Sequence, residues 1–286
     1  MTKAFFIMST GRCSTQFIAN TIQKIDSSAL IEHEAIKYKY DSQSVFRRTN
    51  FSEIRENNET LDLKIKEIDN VVKNGRRYIE VGWPAFAWLP HLIEIFNHDF
   101  EFIHLVRNPF DTATSILTHE FFCGRNDGYA TKCMITDESE TAYPELLQDY
   151  PSFSPLERAL FHWLEVNTFI AEHHDADGFR GIFHFENLFS PDSDALNRLM
   201  STVLGYPVAS IKSQPFDRFQ RKLLVPLTLE HKGLILELTA LSERLGYSDA
   251  EIEKLQDLEV LQSKYSDVRL PTANKLQRWF RTTTLT

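Results

Sequence analysis

Glycine is scarce in this chain, 10 in 286 residues, and the scarcity closes off two common nucleotide-binding signatures. A Rossmann dehydrogenase needs Gly-x-Gly-x-x-Gly after its first strand, and a P-loop kinase needs Gly-x-x-x-x-Gly-Lys-Ser/Thr. Around Gly11 there is neither a second glycine nor the lysine. Cysteine is nearly absent too. Cys13, Cys123 and Cys133 make an odd set of three, which reads as free thiols in a reducing compartment, and no Cys/His spacing suggests a metal. There is no basic block, and the formal net charge is −9, which argues against nucleic acid as a partner. No apolar run approaches membrane-spanning length. Met1-Thr2-Lys3 leads directly into an apolar run, with no room for the apolar core of a signal peptide. The expectation is a cytoplasmic protein that engages no membrane, and no internal repeats or low-complexity segments complicate it.

What is present suits a large α/β domain. Hydrophobic residues make up 42% of the chain, enough to build a core at this length. Short apolar runs alternate with segments of helical periodicity. Strands are expected at 4–8, at 29–31 ending in Glu32-His33-Glu34, at 78–82, at 100–106 and at 181–185. Between them, Phe17, Ile18, Thr21, Ile22 and Ile25 recur at helical spacing, as do Leu61, Ile65, Ile68, Val71 and Val72 in the polar stretch 41–76, read as one or two helices. Further helices are expected from Leu89 to Phe96, from near Asp111 to His119, and from Leu156 to His173. Another ends at Leu204-Gly205, and one spans Leu234 to Leu245 with Gly246 as its stop. Strands alternating with helices imply a central parallel sheet flanked by helices. The core is expected over 4–205, within one domain spanning 1–286, and a helical C-terminal part over 206–286. The proline- and glycine-punctuated stretch 120–155 reads as irregular, the length of a substrate-facing segment.

The stretch that stands out is the loop between the first strand and the first helix, Ser9-Thr10-Gly11-Arg12-Cys13-Ser14-Thr15. One Arg, one Gly and four hydroxyl residues occupy six of its seven positions, with Cys13 the seventh. Backbone N–H groups at a helix N-terminus favour an anion, and hydroxyls and a guanidinium add donors. An ordinary strand-to-helix corner capped by Ser14 or Thr15 is the alternative. Cys13 has no His or acid beside it in the sequence to make it a nucleophile.

With these pieces in place, the sequence resembles the sulfotransferases that use 3′-phosphoadenosine 5′-phosphosulfate (PAPS), in particular bacterial members. Arg12-Cys13-Ser14-Thr15-Gln16 resembles their 5′-phosphosulfate loop. Leu105-Val106-Arg107-Asn108-Pro109-Phe110-Asp111, with Ser115 following, resembles the 3′-phosphate segment. Phe185-Glu186-Asn187-Leu188 resembles a Tyr-Glu-Asp-Leu turn after a later strand, and Leu229 to Tyr247 resembles the C-terminal helix of bacterial members. The resemblance implies a P-loop-NTPase-like sulfotransferase architecture. It implies PAPS as donor and its product 3′-phosphoadenosine 5′-phosphate (PAP), held by Gly11, Arg12, Cys13, Ser14, Thr15, Gln16, Arg107 and Ser115, without a metal. Arg12 would stabilise charge on the leaving phosphate, and Glu34 would be the base that deprotonates an acceptor hydroxyl or amine. Read without the resemblance, Arg107 is an ion pair with Asp111, and Glu34 merely solvates a strand end.

The chain also departs from the pattern. The Lys and catalytic His that cytosolic members carry on strand three are missing; Glu80, Val81, Gly82 and Trp83 stand before Pro84. Glu80 thereby becomes a second candidate base. Ser14 and Gln16 stand where the family has Gly and Thr. The loop that closes on the 3′-phosphate has no clear counterpart, Arg221-Lys222 being the nearest basic pair and Lys232-Gly233 a weaker one. His104 reads as a core or strand-end histidine. Phe121, Phe122, Tyr129, Tyr143, Trp83 and Trp88 are candidates to line a pocket for a small-molecule or glycan-like acceptor, or else to form core or a homodimer contact.

Overall fold

A computed structural model describes residues 3–124, 132–190, 193–208, 211, 223–255 and 257–266. Its centre is β1 (Ala4–Met8), whose five residues Ala-Phe-Phe-Ile-Met are all buried. A strand buried on both faces reads as an unbroken apolar run, and that is how β1 was recognisable. β2 (Leu30–Glu32), β3 (Tyr78–Glu80), β4 (Phe100–Val106) and β5 (Phe179–His184) complete a five-stranded sheet in the order β2-β3-β1-β4-β5. Every pairing is parallel, with Phe6 opposite Glu80 on one side and Phe102 on the other. The expected α/β architecture, a central parallel sheet flanked by helices, is the one found.

Side chains alternate across the sheet and divide the core in two. Phe6, Met8, Tyr78, Phe100 and Phe102 face one layer, packed with α3 (Leu89–Phe96), α4 (Pro109–Leu117) and α5 (Pro155–Ala171). Phe5, Ile7, Ile79, Ile103 and Leu105 face the other, against α1 (Thr15–Ile25) and α6 (Ala195–Leu204). The polar stretch before β3 holds α2 (Glu59–Lys73), which buries Leu61, Ile65, Ile68 and Val72 as the spacing predicts. Two short turns of helix, Ser42–Val45 and Phe51–Glu56, precede it. The last third carries α7 (Lys232–Arg244), Asp249–Leu255 and α8 (Leu258–Ser266). Gly246, at φ 95°, follows the end of α7 as expected.

Some boundaries shift for local reasons. α4 begins at Pro109 rather than near Asp111, because the Asn108 side chain caps it by accepting from the N–H groups of Phe110 and Asp111. Proline at the first helical position loses no hydrogen bond and is already set to the required φ. β5 starts at Phe179, two residues before the expected Gly181, where the ladder to β4 is irregular between Phe102 and His104. Trp88 is fully buried and donates its Nε1–H to Tyr40 O. It is core, not pocket lining. Phe121, Phe122 and Tyr143 are half-buried and pack against the core. Tyr129 and the pair Arg221-Lys222 lie outside the described residues.

Candidate functional site

The strand order places the site. From β1 the chain leaves toward β2 and β3 on one side, whereas β4 is followed by β5 on the other. The carboxyl ends of β1 and β4 therefore open on one crevice, the topological switch point at which open α/β sheets bind ligands. The loop carrying Arg12 and the turn carrying Arg107 are its two walls.

In the first wall the backbone winds tightly, with Gly11, Arg12 and Ser14 at φ 79°, 60° and 55°. Gly11 is required twice over: besides its positive φ, a Cβ there would lie 2.9 Å from the indole of Trp83. Cys13 turns inward, its thiol donating to Gly11 O at 3.1 Å, and burial pushes its pKa up to about 12. A thiol so buried and so weakly acidic is no nucleophile, so Cys13 has only its backbone to offer a ligand. Ser14 occupies the N-cap position of α1 without a side-chain cap bond, and Thr15 Oγ1 is bound to His33 Nε2 at 2.9 Å. Neither hydroxyl caps the helix, which leaves its N-terminus to an anion. Gln16 is exposed on the first turn.

The second wall is locked to the first. Arg107 Nη1 donates to Arg12 O at 2.7 Å, and Arg12 Nε donates to Ser115 Oγ at 3.0 Å. Three sequence-predicted residues from two distant segments are thus brought together. Asp111 pairs with Lys264 of α8 at 2.6 Å, so Arg107 is not spent on it. The Arg107 guanidinium lies 4.5 Å above the ring of Phe185, and its Nε is buried without a hydrogen-bond partner among the described residues. A buried donor left unpaired is costly unless something anionic meets it. Glu186 braces the turn: its Oε1 accepts from Asn108 N at 2.9 Å and its Oε2 from Tyr247 O–H at 3.2 Å.

Glu34 follows β2 in a left-handed backbone conformation, φ 50°, uncommon for a residue with a Cβ. Its carboxylate is 3.8 Å from His33 Nε2. Burial raises its pKa, against the charges of Arg12 and Lys37, which lower it. Its backbone N–H donates to Glu80 Oε1 at 3.0 Å. Glu80 is wholly buried and has both oxygens engaged, Oε2 by Tyr78 O–H at 2.8 Å and Tyr40 O–H at 3.3 Å. It has no free atom for an acceptor. His104 sits in the core, bonded to Asn167 Oδ1 at 2.8 Å and held neutral by burial, its pKa down to about 3. Lys232 opens α7 as an exposed residue.

Sequence reasoning missed His33, although it stands beside Glu34; only the fold shows that its ring reaches Thr15 on α1. It also missed Lys264, because nothing local in the sequence ties α8 to α4.

No family model matches the chain, and no curated protein matches it. Among solved structures, it is similar to the sulfotransferase domain from the curacin biosynthetic pathway, at 12% identity and TM-score 0.48, over 87% of this chain and 99% of that one. It is similar to the sulfotransferase domain from the Synechococcus PCC 7002 olefin synthase, at 13% identity and TM-score 0.48, over 86% and 96%. A sulfotransferase from Alicyclobacillus acidocaldarius aligns over 92% of this chain and 99% of its own, at 16% identity and TM-score 0.42.

Proposed function

We propose that this protein transfers a sulfuryl group from PAPS to a hydroxyl or amine of a small-molecule or glycan-like acceptor. The observation that carries the reading is the meeting of Arg12, Arg107 and Ser115 at the carboxyl ends of β1 and β4. The residues fit a doubly anionic nucleotide. Arg107 has its buried Nε unpaired, and α1 opens on the crevice without a side-chain cap.

In this reading Arg107 and Ser115 hold the 3′-phosphate. Arg12, the backbone N–H groups of residues 11–16 and the hydroxyls of Ser14 and Thr15 hold the 5′ end. PAPS supplies the activated sulfuryl group when bound. Arg12 stabilises negative charge as it develops on the leaving phosphate. Glu34, partly desolvated and near Arg12, takes the proton from the acceptor oxygen or nitrogen as that atom attacks. The contacts that engage both Glu80 oxygens support giving that role to Glu34 rather than to Glu80.

Calorimetric titration with PAP, and with 5′-AMP and ATP in parallel, tests the assignment. Binding of PAP in clear preference to 5′-AMP is expected, because only PAP carries the 3′-phosphate. Equal affinity for the two would remove the 3′-phosphate site and the proposed activity with it.

A further inference from the structure

Behind Glu34 lies a polar cluster that the transfer of a sulfuryl group does not by itself require. Tyr78 O–H lies 2.7 Å from Glu32 Oε2 and 2.8 Å from Glu80 Oε2. A phenol has one proton, so it donates to one of these carboxyls and accepts from the other. Lys64 Nζ settles which, because it donates to Glu32 Oε2 at 2.7 Å and to Glu67 Oε2 at 2.6 Å, making Glu32 the cation-paired carboxyl to which the Tyr78 hydroxyl donates. Among the described residues no cation pairs with Glu80. Three carboxyls, those of Glu32, Glu34 and Glu80, share this end of the sheet. Lys64 neutralises the first, and the charges of Arg12 and Lys37 face the second. A wholly buried third carboxylate has only a proton left to neutralise it.

From this arrangement we infer that Glu80 is a protonated positioning residue. Its Oε2–H donates to the Tyr78 oxygen, Tyr78 donates to Glu32, and its carbonyl oxygen Oε1 receives the backbone N–H of Glu34 and fixes that residue's left-handed turn. The inference rests on the reading of Glu34 as the base. Gly82 shows how closely the parts are fitted: a Cβ there would lie 2.6 Å from Glu80 Oε1 and 2.9 Å from Glu34 N. Burial, with the charge of Glu32 adding to it, pushes the Glu80 carboxyl up to about 7, while the Glu34 N–H and the Tyr40 hydroxyl act the other way. Glu80 therefore gains a negative charge within the neutral pH range, and Glu34 feels the change through its backbone N–H.

The test is NMR on the full chain labelled with 15N and with 13C at the glutamate carboxyls. One carboxyl signal, missing in Glu80→Gln, is expected to be protonated at pH 6 and to titrate near neutrality. The Glu34 amide signal should move with the same midpoint. In Glu80→Gln, which keeps the carbonyl acceptor and cannot ionise, the Glu34 amide should stay fixed between pH 6 and 8. Tyr78→Phe removes the acceptor of the Glu80 proton and should shift the midpoint by a unit or more. The inference is overturned if all glutamates titrate in the ordinary carboxylate range, or if the Glu34 amide ignores the Glu80 titration. PAP titration of Glu80→Gln, expected within two-fold of the parent, separates the two readings. No preference for PAP in either protein would sink sulfotransfer and leave the Glu80–Glu34 coupling standing.

Discussion

Arg107 has one nitrogen committed to the carbonyl of Arg12 and another, Nε, buried with no partner among the described residues. Truncating it to Ala removes a charge-assisted contact to a 3′-phosphate, and PAP affinity should fall by about 1.5–3 kcal/mol. Ser115→Ala, which removes a neutral donor, should cost about 1 kcal/mol; calorimetry measures both. Glu34→Gln should leave PAP affinity unchanged and lower turnover by about 10²–10⁴-fold once an acceptor is in hand. Because burial raises the Glu34 pKa, the rate should climb with pH through that raised value as the base loses its proton, and the climb should vanish in the Gln variant. A fully active Glu34→Gln would move the base elsewhere. At this scale the sequence was readable for residue type and not for company. Arg12, Ser115 and Arg107 were legible one by one, but the bond between Arg12 and Ser115 joins residues 103 positions apart. The signal for Glu80 was a carboxylate inside an apolar strand, which is either a base or a buried acid; its neighbours decide, and those come from β2 and from the turn at Tyr40.

Elements position these groups through two glycines. Gly11 at φ 79° takes the left-handed turn that brings the loop back over β1, and the Trp83 indole lies where a methyl group would go. Gly11→Ala should lower stability by about 1–3 kcal/mol from overpacking and backbone strain, read in thermal or urea unfolding. Gly82→Ala meets Glu80 Oε1 and the Glu34 amide directly. It should cost a similar ~1–3 kcal/mol and displace Glu34 as well, so its fractional loss of turnover should exceed that of Gly11→Ala. The strands themselves were the most legible part of the chain. β1 and β4 fall where their apolar runs lie, since a strand buried on both faces cannot alternate. Helix starts were less so, because a cap is a side-chain contact: Asn108 moved the start of α4 back to Pro109. Aromatic residues were least legible, as Trp88 illustrates, because ring chemistry suits a core and a pocket equally.

For the molecule as a whole, buried titratable groups set opposing pH trends. The Glu80 carboxyl keeps its proton in the folded state up to about 7, against an ordinary value of 4.5. Between those values the folded protein holds a proton that the unfolded chain has released, so this group's contribution to stability declines as pH rises and levels off above about 7. At about 1.4 kcal/mol per unit the full effect is on the order of 3 kcal/mol. His104 and His162, both wholly buried with pKa values down to about 3, run the other way. They stay neutral while the unfolded chain takes up protons, and stability is lost as pH falls from 6.5 toward 3. The Glu80 contribution is therefore read as a difference: Glu80→Gln should gain on the parent steadily between pH 4.5 and 7 in denaturant unfolding, and a constant difference would count against it. The sheet order has one further consequence, in the time domain. β1 is made before the other four strands of the sheet, yet Ala4 pairs with Tyr78 on one side and Phe100 on the other. A parallel partner is always a crossover away. An apolar strand must therefore wait unpaired until β3 has left the ribosome and half-paired until β4 has, and non-local pairing of this kind is slow and exposed to aggregation. The same central position that puts Arg12 at the heart of the crevice makes the earliest of the five strands the one most in need of protection during synthesis.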